Sequence, residues 1–169
     1  MLRVAFVRSI ADRSLKTILQ PPAARKLTSS MSAPQYIDAS ELVKDIRNPA
    51  LRSGVDYLVV DVRDEDFKFG NIPNALNVPA HEFLETVPSQ IERLNSAKKL
   101  VFHCALSQVR GPKCAGRYRT ALNAAVQEGT AKEQEVVILR GGFENWVHQH
   151  QKEPDLVENY NAKYWADPY

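Results

Sequence analysis

Cysteine is scarce in this chain: Cys104 and Cys114 are the only two among 169 residues. A disulfide-stapled secreted scaffold needs more, so the pair points to a reducing compartment, where a thiol stays free to react. Long apolar runs are missing as well, and no stretch reaches the roughly 18 residues that a membrane-spanning helix requires. There is no internal repeat, no heptad run and, after residue 34, no low-complexity tract. The remaining composition, 44% hydrophobic and 25% charged, is that of one ordinary globular domain.

Acidic residues are nearly absent from the first segment. From Met1 to Met31 six basic residues (Arg3, Arg8, Arg13, Lys16, Arg25, Lys26) face one acid, Asp12, a balance of +5, while the rest of the chain carries 16 basic against 19 acidic residues, or −3. With Leu2, Phe6, Ile10 and Ala11 at helical spacing, residues 1–31 read as a mitochondrial targeting segment. The alternatives are a disordered basic tail, or an extension bypassed by a start at Met31 that leaves a protein of cytoplasm and nucleus. The mildly acidic body argues against nucleic-acid binding. The domain is expected over residues 32–152, followed by a tail over 153–169, and a monomer is the expectation.

Alternating patterns predict an α/β fold. Tyr36-Ile37 opens as a short strand, and Asp38 with Glu41 caps a helix carrying Leu42, Val43 and Ile46 that stops at Asn48-Pro49. Tyr57–Val62, Leu100–His103 and Val136–Leu139 are apolar on both faces, as central parallel strands are. Helical spacing is expected from Ala80 to Leu94 and from Pro112 to Val126, the latter carrying Cys114, Ala115, Tyr118, Ala121 and Leu122. Such alternation gives a mostly parallel sheet with helices on both faces.

Between the strand ending at His103 and the helix after Gly111-Pro112 lies the most informative stretch: Cys104-Ala105-Leu106-Ser107-Gln108-Val109-Arg110. A thiolate nucleophile must accept a tetrahedral oxyanion of like charge beside it. Loop amides and a helix N-terminus meet that need, and an arginine adds a two-pronged fork. Lowering a thiol's pKa by about three units takes roughly 4 kcal/mol, against the ~0.3–2 kcal/mol that a helix dipole supplies, so the whole loop is required. Lys113, Arg117 and Arg119 follow, with no acid between Cys104 and Arg119. The plainer alternative is a buried cysteine beside a surface arginine. Strand, spacing, Gly-Pro and basic surround together favour an oxyanion-binding catalytic loop.

The run HCALSQVRGPKCA resembles the active-site loop of small rhodanese-fold phosphatases related to the M-phase-inducer family, a group that includes fungal and plant arsenate reductases. Asp61-Val62-Arg63, Gly70-Asn71-Ile72 and Ala75-Leu76-Asn77 are similar to that family's D-x-R, G-H-I and A-x-N stretch, with Asn71 where histidine is common. Leu139-Arg140-Gly141-Gly142-Phe143 with Trp146 resembles the rhodanese R-G-G-[YF]-x-x-W signature. The likeness runs from about Tyr36 to His150. Five residues between Cys104 and Arg110 match the phosphatase and arsenate-reductase form, where sulfurtransferases carry one fewer.

The resemblance implies that Cys104 forms a phosphocysteine or cysteine–arsenate adduct and that Arg110 holds the oxyanion. It assigns the backbone amides of Ala105, Leu106, Ser107, Gln108, Val109 and Arg110 to an anion cradle. It implies no metal or prosthetic group, with glutathione or another thiol as co-reductant if arsenate is reduced. The substrate would be phosphorylated or a small oxyanion; a sulfurtransferase carrying a persulfide on Cys104 is the competing expectation. No loop residue from Ala105 to Val109 is a carboxylate, which favours aryl phosphate or arsenate over alkyl phosphate. Asp61, Arg63 and His103 are expected as supports, the acid pairing with an arginine and the histidine fixing loop geometry, in preference to proton transfer. Ser107 is a candidate to assist the departing thiolate, and Gln108 to orient water. Cys114 is read as a core residue in preference to a resolving thiol. Gly141-Gly142 and Trp146 are read as structural, and the tail aromatics Tyr160, Tyr164, Trp165 and Tyr169 as packing.

Overall fold

The computed structural model describes residues 32–166; the basic segment 1–31 and Tyr169 lie outside them. Three apolar runs form the middle of the sheet: Tyr57–Asp61 (β2), Lys99–His103 (β4) and Glu135–Leu139 (β5). Short strands Gln35–Ile37 (β1) and Leu76–Asn77 (β3) form its edges. All five are parallel, in the order β1-β5-β4-β2-β3. Pairing sets Asp61 level with His103. Because β4 lies between β5 and β2, the chain leaving His103 emerges at the middle of the sheet's carboxyl edge, where parallel sheets bind ligands.

Helices cover both faces. Ala80–Glu85 (α2), Val87–Leu94 (α3) and Arg110–Gln127 (α4) bury Phe83, Leu94, Tyr118 and Leu122 against Leu100 and Phe102 of β4. Ala39–Arg47 (α1) and Gly142–His150 (α5) bury Leu42, Phe143 and Trp146 against Val59 and Val101 on the other face. The period of two along β4 divides its side chains between these cores. The Asp38 amide donates to Glu41 Oε1 at 3.1 Å, the expected start of α1.

Three local features depart from the sequence expectation. The single helix expected from Ala80 to Leu94 is two, broken at Thr86, because Pro88 cannot continue a helix: its ring would meet the carbonyl four residues back, and it has no N–H. Thr86 Oγ1 instead donates to the Glu82 carbonyl and accepts from Gln90 Nε2. Helix α4 starts at Arg110, two residues before Pro112, which occupies a first-turn position where an N–H has no intrahelical partner. Leu76–Asn77 pairs over two residues only, too short to leave a periodic signal.

Beyond Lys152, Leu156 and Val157 belong to the second core, and Tyr160 and Trp165 pack against it. Leu156 and Val157 are buried, and Trp146 Nε1 donates to the Leu156 carbonyl at 2.9 Å. Asn71 and Glu158 exchange backbone hydrogen bonds of 3.0 Å each. Asn71 Nδ2 also donates to Glu158 Oε1 at 2.7 Å and its Oδ1 accepts from Asn159. Asparagine in place of the more common histidine is thus the residue that clasps the tail. A last helix, Ala162–Ala166 (α6), stacks Tyr164 on Phe69 with ring centroids 4.1 Å apart.

Candidate active site

The residues from Cys104 to Val109 form an irregular loop between β4 and α4. Three of its carbonyls are fastened from outside. Phe143 N donates to Cys104 O at 2.9 Å and Glu144 N to Ala105 O at 3.0 Å, both from the first turn of α5. The Tyr36 hydroxyl donates to Ser107 O at 3.2 Å from the sheet edge. In a trans peptide the carbonyl and the following N–H point in opposite directions. Holding these three oxygens outward therefore turns the amides of Ala105, Leu106 and Gln108 the other way. No protein acceptor among the described residues takes the backbone N–H of any residue from Ala105 to Arg110.

Cys104, Ala105, Leu106, Gln108, Val109 and Arg110 line a cavity of about 190 Å³. Ser107 takes a left-handed backbone, φ +52°, and is buried with its Oγ unpartnered. A larger cleft of about 540 Å³ opens between α3 and α4, but no cysteine, histidine or arginine lines it. The chemistry-bearing residues converge on the smaller cavity. Gly111, second in α4, lies so close to the His103–Cys104 backbone that a Cβ there would stand 3.3 Å from Cys104 N. The positive end of α4 is thereby set directly against the cysteine.

Two glycines let α5 approach the loop. Gly142 has φ +60°, and a Cβ on it would overlap the carbonyl oxygens of Ala105 and Cys104 and stand 2.7 Å from the Ala105 carbonyl carbon. Gly141, at φ +75°, begins that turn. The Arg140-Gly141-Gly142 run is thus structural, as expected, but what it supports is the loop itself.

Beneath the loop lies a buried polar group. Arg63 Nη2 and Nε donate to Asp61 Oδ2 at 2.7 and 3.0 Å, and Nη2 also donates to the Gly70 carbonyl at 2.7 Å. Its guanidinium stacks 4.0 Å from the Phe143 ring centroid. All of Asp61, Arg63 and His103 are fully buried. Such a pair is expensive to desolvate and persists because its remaining donors and acceptors are met. His103 Nδ1 lies 3.3 Å from Cys104 O, and its Nε2 lies 3.5 Å from Asp61 Oδ2. Burial pushes the His103 imidazole below its ordinary value, outweighing the nearby Asp61 carboxylate, so the ring stays neutral.

That depression sets a pH dependence. The unfolded chain takes up a proton on this imidazole near its ordinary value of about 6.5, and the folded chain does not until the pH is lower. The His103 contribution to stability is therefore complete above about pH 6.5 and is lost as pH falls toward the folded value. Denaturant titrations at pH 7.5 and 5.5 are expected to show a drop in the native protein that is smaller in His103→Gln, by up to about 1.4 kcal/mol.

Arg110, at the start of α4, donates from Nη1 to Asp64 Oδ2 at 2.6 Å. Partial burial works against its charge, but Cys104, Asp66 and Asp64 outweigh it and the guanidinium is held above its ordinary value. Asp64 was not singled out from the sequence, where the one available signal is a run of three acids, Asp64-Glu65-Asp66, directly after Arg63. Tyr36, read only as a strand residue, is the other one missed. Of the basic residues expected around the loop, Lys113 and Arg117 are exposed. Arg119 instead pairs with Glu133 at 3.1 Å, because it lies more than two helical turns past Arg110. Cys114 is buried in the first core, and burial together with the neighbouring Cys104 pushes its thiol up to about 12. A thiol so rarely ionised is a poor resolving nucleophile.

Comparison with known proteins finds relatives in sequence and in fold. Residues 38–149 match the sequence profile of the Rhodanese-like domain. The chain is 35% identical over 112 residues to "Arsenate reductase 2.2" of Oryza sativa subsp. japonica, covering 66% of this chain and 80% of that one. It is 32% identical over 120 residues to "Dual specificity phosphatase ibp1" of Schizosaccharomyces pombe, covering 64% and 87%. Among solved structures, an As-Sb reductase from Leishmania major superposes with a TM-score of 0.58 at 33% identity, over 73% of this chain and 84% of that one.

Proposed function

Since this chain belongs to the rhodanese-like domain family, we propose that it is a cysteine-dependent phosphatase of the protein-tyrosine-phosphatase type whose oxyanion cradle also reduces arsenate. The observation that carries this reading is the outward fastening of the Cys104, Ala105 and Ser107 carbonyls, which frees the opposing amides of a loop that lines one cavity with Cys104.

In hydrolysis, Cys104 attacks phosphorus as the thiolate; an S–P bond forms and the bond to the aryl oxygen breaks, the phenolate leaving with its electron pair. The amides of Ala105, Leu106 and Gln108 and the guanidinium of Arg110 stabilise the equatorial oxygens. Water then attacks phosphorus and the S–P bond breaks, restoring the thiolate. With arsenate, Cys104 displaces water to give a cysteine–arsenate adduct. An external thiol, such as glutathione, attacks the Cys104 sulfur. A mixed disulfide forms, the S–As electron pair passes to arsenic, and arsenite leaves. A second thiol releases the external disulfide and restores Cys104, so two thiols supply the two electrons.

Rates of the full-length chain with an aryl phosphate, with arsenate plus glutathione, and with thiosulfate plus cyanide test the reading. Turnover of the first two, with the third at background, is the expected result. Sulfur transfer from thiosulfate to cyanide with no aryl phosphate hydrolysis would overturn it.

A further inference from the structure

Arg110 lines the cavity from α4, and its side chain is gripped by Asp64, from the segment that follows β2. Asp64 Oδ2 takes Nη1, and Asp64 Oδ1 lies 3.6 Å from His81 Nδ1 at the start of α2. The Nε and Nη2 groups of Arg110 donate to no protein acceptor among the described residues. An arginine side chain carries about 2 kcal/mol of rotamer entropy. One fixed contact at Nη1 removes much of that freedom in advance and leaves the other donors for a ligand.

The contact is worth making only if Asp64 is itself fixed, and its surroundings fix it. The preceding residue is Arg63, whose guanidinium is bound to Asp61 and to the Gly70 carbonyl. The 3-10 turn that follows, Glu65–Phe69, is held from outside by α6 and the residue before it: Asn161 N and Trp165 Nε1 both donate to the Phe69 carbonyl, at 3.0 and 2.8 Å. Asp64 adopts φ −90°, ψ −128°, outside the helix and strand wells. That turn conformation is over-determined by its neighbours on both sides.

We propose that Asp64 is the positioning residue for Arg110, holding its guanidinium at the rim of the cavity with Nε and Nη2 left to clasp the oxyanion. The proposal rests on the reading that Arg110 binds the oxyanion. Its competitor is a surface ion pair without consequence, since Asp64 is about half exposed and such pairs contribute about 0–1 kcal/mol.

Full-length Asp64→Asn, Asp64→Glu, Arg110→Lys and the Asp64→Asn/Arg110→Lys double variant separate the two. The readouts are kcat and KM for an aryl phosphate, affinity for inorganic phosphate by calorimetry, and the melting temperature. Asp64→Asn is expected to lower kcat/KM about 10-fold and weaken phosphate binding by a similar factor, with the melting temperature unchanged, because misplacing a clamp by an ångström costs up to about 100-fold. Asp64→Glu is expected to recover most of the loss, and Asp64→Asn to cost nothing further in the Arg110→Lys background. Asp64→Asn within about twofold of the native enzyme, or a loss that multiplies fully through the double variant, overturns the proposal. Arg110→Lys as active as the native enzyme would sink instead the reading on which it rests.

Discussion

Cys104→Ser is expected to slow aryl phosphate hydrolysis by at least about 10⁴-fold while leaving inorganic phosphate bound within about threefold of the native affinity. A serine hydroxyl is a weak nucleophile at neutral pH unless a base takes its proton. Among the described residues none is shown placed to do so: the neutral His103 ring meets the Cys104 carbonyl and lies beside Phe143. The anion cradle does not depend on the sulfur. Its amides are aimed by Phe143, Glu144 and Tyr36, and Arg110 is held by Asp64, none of which the substitution touches. Steady-state kinetics measure the first quantity and calorimetry the second. A variant that kept more than about 1% of the rate would remove Cys104 from the nucleophile's role.

Gly142→Ala is expected to destabilise the protein by roughly 3–5 kcal/mol and to take most of the activity with it. The left-handed backbone alone costs about 1–2 kcal/mol for a residue with a Cβ. The larger part comes from collision with the Cys104 and Ala105 carbonyls, because moving them breaks the bonds from Phe143 N and Glu144 N and leaves buried groups unpaired at about 1–3 kcal/mol each. Gly129→Ala supplies the control. Its φ is +73°, but a Cβ there would meet nothing within 4 Å, so only the backbone cost applies. Denaturant titration of both, with aryl phosphate rates alongside, checks the contrast. Equal losses for the two variants would mean that α5 does not brace the loop.

How much of this was legible in the sequence follows from how local each determinant is. The catalytic loop is contiguous, so its cysteine, its arginine and their spacing appear in one glance along the chain. The three central strands are buried on both faces, which leaves unbroken apolar runs that no surface element imitates. The Asp61–Arg63 pair is two residues apart, and its pairing was expected. By contrast, Asp64 meets Arg110 across 46 positions and Tyr36 meets Ser107 across 71, and no periodicity records such a meeting. Gly142 announces a turn, but the carbonyls that forbid a methyl group there come from Cys104 and Ala105. The split between α2 and α3 was hidden for another reason: the apolar spacing continues through Thr86 in phase, and only Pro88 breaks it.

The clasp between Asn71 and Glu158 bears on where this enzyme can be cut. A shortened version ending at Lys152, the domain limit expected from the sequence, would strip the acceptor from the Trp146 indole and the cover from Phe143. It would also untie the Phe69 turn and, through it, the carboxylate that grips Arg110. A functional fragment therefore has to run at least to Trp165, for the sake of the active site as much as for the second core.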